Sequence, residues 1–142
     1  MLNCWEVYLR RGTVYVPTVA ITDAGYRLQI EPVEVASASS PQEVRAAVAR
    51  AIGRGHPRVP TPTRATFPEP VVQKRAGVKS MSAFEKSTST WSILEEGGRF
   101  TIQAQRLSPK GGWEDDPGRV ESLPPGSSLD DVALRVAEIV AG

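Results

Sequence analysis

At 142 residues the chain has the commonest length for one compact domain, enough to bury a core without disulfides or a structural metal. Its apolar content of 40% and charged content of 23% are those of an ordinary soluble protein. A single cysteine, Cys4, excludes an internal disulfide and a thiolate metal site, and no apolar run approaches the ~18–20 residues needed to span a bilayer. The formal charge of +1 conceals an uneven distribution: residues 54–90 carry seven basic and two acidic side chains, residues 91–142 five basic and nine acidic.

The first strand is expected where Trp5, Val7 and Leu9 alternate with Glu6, Tyr8 and Arg10. After a turn at Gly12, Val14, Val16, Val19 and Ile21 read as a second strand, with Pro17 marking an edge or a bulge because it donates no hydrogen bond. Gly25 suits a second turn, and Tyr26 to Ile30 form a third strand that Val33 and Val35 either extend past Pro32 or leave as a short fourth. Ser40-Pro41-Gln42-Glu43 then combines an N-cap, proline at the first helical position and a capping-box glutamate. The helix it opens carries Val44, Val48 and Ile52 with Ala47 and Ala51 on one stripe and stops at Gly53.

From Arg54 to Pro70 the chain holds five of its twelve prolines, which predicts an extended connector. Val71 and Val72 suit a sheet edge, and residues 80–87 fit either a helical turn or the lead into the next strand. Trp91 then opens a stretch that repeats the beginning of the chain, with Trp5/Trp91, Val7/Ile93, Gly12/Gly98, Val14/Phe100 and Val16/Ile102 in register. Strands are expected over Trp91 to Leu94 and Phe100 to Ala104, with Trp113 and Val120 in the slots of Tyr26 and Val33. Ser128 caps a last helix whose first turn holds Asp130 and Asp131 and whose buried stripe is Val132, Val136, Ile139 and Val140.

Two units of strand, strand, strand, helix (1–53 and 91–142) joined by the basic connector 54–90 predict one α+β domain: an antiparallel sheet of two pseudo-repeats, with both helices on one face. A pseudo-twofold axis would make Trp5 and Trp91 symmetry mates near the core.

No stretch carries a catalytic or cofactor signature. His56, the lone histidine, reads as a solvated loop residue, and Cys4 as a small buried hydrophobe with no activating partner. The acids Glu114, Asp115 and Asp116 lack the alternating ligand spacing of a calcium loop, so no metal is expected, and no cofactor. These three with Asp130 and Asp131 form a candidate acidic surface for a basic protein partner, and His56, Arg58, Arg64 and Phe67 a candidate docking loop stiffened by proline. The alternative is a nucleic-acid contact through Lys74, Arg75 and Lys79, with too few aromatics for base stacking.

The N-terminal Met-Leu-Asn-Cys-Trp-Glu-Val, the Val59-Pro-Thr-Pro-Thr-Arg64 loop, and the stretch Val78-Lys-Ser-Met-Ser-Ala-Phe84 through Trp91-Ser-Ile93 resemble small bacterial cytoplasmic proteins. Some of these are similar to immunity proteins of contact-dependent growth inhibition and related toxin systems. The resemblance implies a non-enzymatic cytoplasmic protein that neutralises a cognate toxin, often a nuclease, by covering its active cleft. The absence of a basic n-region before an apolar run agrees with a cytoplasmic location.

Overall fold

The computed structural model describes residues 2–142, among which there are seven strands and four helices. In chain order they are β1 (Asn3–Arg10), β2 (Thr13–Thr22), β3 (Arg27–Ser37), α1 (Pro41–Gly53), β4 (Arg58–Val59), α2 (Val71–Ala76), α3 (Met81–Lys86), β5 (Ser89–Glu96), β6 (Arg99–Leu107), β7 (Trp113–Ser122) and α4 (Leu129–Ala141). Six strands form an antiparallel sheet in the order β3-β2-β1-β5-β6-β7, and the two-residue β4 pairs in parallel with the end of β2.

The centre of the sheet is the β1–β5 ladder, in which Trp5 faces Ile93, Glu6 faces Ser92 and Val7 faces Trp91. Each of these strands continues into the next through a two-residue turn: Arg11-Gly12 between β1 and β2, and Gly97-Gly98 between β5 and β6. All four turn residues have positive φ, the geometry whose twist matches a tight hairpin. Arg11, at φ 49°, is the one that carries a side chain there.

The two long helices form as their caps foretell. The Ser40 side chain accepts from the Glu43 amide at 3.3 Å, and Ser128 and Asp131 form a reciprocal capping box. Val44, Ala47, Val48 and Ala51 of α1 and Val132, Ala133, Val136 and Ala137 of α4 are buried in one core. That core also holds Trp5, Val7, Val14, Val16, Trp91, Ile93 and Ile102, so both helices cover the same face of the sheet.

The connector departs from the expectation. Val71 and Val72 do not pair at a sheet edge; they open α2 and bury with Phe84 of α3 against Tyr8, Tyr15 and Val33 on the other face of the sheet. The β preference of two valines yields to the burial that a helix offers them here, with Gln73, Lys74, Arg75 and Ala76 all good helix formers. Gly77, at φ 73°, ends α2, and Ser80 caps α3 by accepting from the Ala83 amide at 3.1 Å. The protein therefore has helices on both faces, two long and two short, rather than on one.

β3 runs unbroken from Arg27 to Ser37, past Pro32. The register between β2 and β3 shifts between Pro17 and Thr18, the bulge that Pro17 signals. β1 pairs with β2 only from Thr13 to Tyr15, and beyond that point the ladder opens.

Candidate functional site

The opening between β1 and β2 is filled from the connector. Gly55-His56-Pro57 enters it, and the Ile21 amide donates to the Pro57 carbonyl at 2.9 Å. The His56 Nε2 lies 3.4 Å from the Cys4 amide of β1, and its Nδ1 lies 2.8 Å from the Val19 carbonyl of β2. A backbone N–H can only donate, so Nε2 accepts, and Nδ1 carries the proton it donates to Val19. The ring stacks on the Trp5 indole with centroids 4.6 Å apart, and the indole Nε1 donates to the Gly55 carbonyl at 3.3 Å. One imidazole thus replaces a missing rung of the sheet. His56 is not the freely solvated residue that its loop sequence suggests.

Beside this junction is a cleft of about 640 Å³ with Trp5, Ile21, Ile52 and His56 as its apolar wall and Arg27 and Arg58 at its rim. Cys4 adjoins it without forming a catalytic pair. Burial and the nearby Glu6 carboxylate push the thiol up to about 12, which leaves it protonated and a poor nucleophile. His56 contacts the Cys4 amide rather than its sulfur, and both ring nitrogens are engaged. The Glu6 carboxyl is itself raised, by burial above all, while accepting from the Ser92 hydroxyl at 2.8 Å.

The acidic candidates are divided between two elements. Glu114, Asp115 and Asp116 lie on β7, the outermost strand at that side of the sheet, and Asp130 and Asp131 in the first turn of α4. Four of the five carry local partners. Arg106 pairs with Glu114 at 3.0 Å, the Gln105 amide donates to Asp115 at 2.7 Å, Arg119 approaches Asp116 at 3.9 Å, and Asp131 holds the α4 cap. Asp130 is exposed.

The loop candidates are also spread out. His56 sits in the sheet junction and Arg58 on β4 near Asp23, at 3.9 Å, whereas Arg64 lies in the exposed stretch 63–67 and Phe67 leaves 60% of its surface to solvent. Lys74 and Arg75 occupy the last turn of α2, and Lys79 follows Gly77; Lys74, Lys79 and Glu69 border a separate cleft of about 490 Å³. The Trp5–His56 junction is the feature that sequence reasoning missed. In the sequence only Pro17, which interrupts the second strand, hints at it.

Among the described residues no helix is long and apolar enough to cross a membrane, and no group of three His, Cys, Asp or Glu side chains is placed to hold a metal.

Neither a family model nor a curated protein matches the chain. Solved structures do. A protein of unknown function from Neisseria meningitidis superposes with a TM-score of 0.64 at 12% identity, over 96% of this chain and 93% of that one. A chain of a CdiA-CT/CdiI toxin and immunity complex from Yersinia pseudotuberculosis superposes with a TM-score of 0.61 at 17% identity, over 100% of this chain and 98% of that one. The chain resembles, in fold and at low identity, a component of a contact-dependent growth inhibition toxin–immunity pair.

Proposed function

We propose that this chain is a non-catalytic immunity protein that works in the cytoplasm by binding one cognate protein toxin and blocking its active site. The observation that carries this reading is the end-to-end likeness of the fold to a chain of a toxin and immunity complex. Two features of the molecule support it. The single histidine has both ring nitrogens tied to the sheet backbone and the single thiol lies 3.8 Å from the Glu6 carboxylate, and β7 carries three carboxylates, each with a local partner, at the margin of the sheet. Such a strand suits a toxin with a basic active cleft, and a nuclease is the class that fits best.

We infer further that the sheet descends from a duplicated unit, as the repeated sequence suggests. A twofold relation between halves offset by 86 residues carries the Trp5–Ile93 pair onto the Val7–Trp91 pair, the register of the central ladder.

The test is growth rescue. A candidate toxin taken from a gene neighbouring that of this chain is expressed from an inducible promoter with and without it, and the purified pair is examined by gel filtration. Survival together with a stable complex is expected. Continued killing, or no complex at micromolar concentrations, would overturn the assignment.

A further inference from the structure

The two tryptophans that occupy matching places in the sheet have unlike surroundings. The cleft at Trp91 is about 190 Å³, and its Arg135 is bound by Glu121 at 2.6 Å. The cleft at Trp5 is about 640 Å³, within the ordinary range for small-molecule sites, and among the described residues no carboxylate lines it. Its polar walls are already satisfied: the indole N–H is spent on Gly55, and both imidazole nitrogens on Cys4 and Val19. What remains for a ligand is an apolar surface offered by the partly exposed His56 and Ile21, backed by Trp5 and Ile52, which are 4% and 8% exposed, with two guanidinium groups at the edge.

Neither guanidinium is neutralised by a close carboxylate. Among the described residues Arg58 has only Asp23, at 3.9 Å and with both side chains largely exposed, and Arg27 donates to the Leu2 carbonyl at 2.5 Å. We infer that the Trp5–His56 cleft binds a small organic anion consisting of a flat apolar body with a single carboxylate, the body against the Trp5–His56 wall and the carboxylate at Arg27 and Arg58. Charge complementarity selects the anion, and the shape of the wall selects the body. The inference stands independently of the toxin reading.

The probe is 1-naphthoate, titrated into ¹⁵N-labelled protein while the three indole N–H resonances are followed. Saturable movement of the Trp5 resonance is expected, with those of Trp91 and Trp113 unmoved as internal references. The neutral isostere 1-naphthalenemethanol should bind about tenfold or more weakly, and the double substitution Arg27→Gln, Arg58→Gln should weaken naphthoate by a similar factor. Both arginines are exposed, so unmoved Trp91 and Trp113 resonances report that the variant is folded. The site is refuted by the absence of saturable movement at Trp5, by equal movement at all three indoles, or by equal affinity for the alcohol. The alcohol comparison needs no variant, so it decides the matter even where the substitutions disturb folding.

Discussion

His56 closes the gap between β1 and β2 with two hydrogen bonds and a stacked ring, and Ala in its place would remove all three. At about 1 kcal/mol for each hydrogen bond and ~0.5–1.5 kcal/mol for the stack, His56→Ala should cost roughly 2.5–3.5 kcal/mol, read as a lower denaturation midpoint in urea. Glu6 acts in the opposite sense. Burial raises its carboxyl above the ordinary glutamate value, so between the unfolded and folded values the native chain holds a proton that the unfolded chain has released. Stability from this group is therefore lost as pH rises through that window. Glu6→Gln keeps an acceptor for Ser92, and should raise the midpoint at neutral pH and flatten its pH dependence above the ordinary glutamate range; an unchanged profile would contradict this. Neither role is legible locally. Gly-His-Pro is a loop sequence, and the partner that buries its ring, Trp5, lies 51 positions earlier.

At the scale of elements, what the sequence makes plain is what neighbours in the chain decide. Ser40, Pro41 and Glu43 specify the start of α1 without help from distant residues, and Ser128 with Asp131 does the same for α4. The alternating strands follow from one-sided burial. α2 and α3 are different, because six-residue helices are not stable alone and exist where Tyr8, Tyr15 and Val33 give them a surface. Phe84, 2% exposed and packed edge-on to Trp113, fixes them there. Phe84→Ala should cost roughly 3–5 kcal/mol where the loss is felt globally. Amide exchange should show residues 71–86 losing protection first, with the β1–β5 ladder the last to open, since short peripheral helices belong to the least stable cooperative unit.

For the whole molecule, the sequence indicates one sheet with the two long helices on the same face, and the shared core of α1 and α4 agrees. The second helical layer was not legible, because it depends on which connector residues meet the far side of the sheet. The candidate binding surface was legible only as composition: five acids near in sequence proved to lie on β7 and α4, mostly with local partners. If β7 is the toxin contact, Asp115→Lys with Asp116→Lys should weaken the complex roughly tenfold or more and abolish growth rescue, while far-ultraviolet circular dichroism stays unchanged. Undiminished affinity would exclude β7 as the contact and move the search to the loop around Phe67.

The seam between residues before and after the connector consists of seven facing strand positions, from Asn3 opposite Glu95 to Leu9 opposite Ser89, closed on one side by α1 against α4 and on the other by the short helices. Covalent continuity through the exposed stretch 63–67 adds little to that grip. With a recognition sequence for a specific protease inserted after Arg64, the cut protein should run as two pieces on a denaturing gel and elute as one body from a native column. Prompt separation on the native column would show that the backbone link, rather than the surfaces it joins, holds the two parts together.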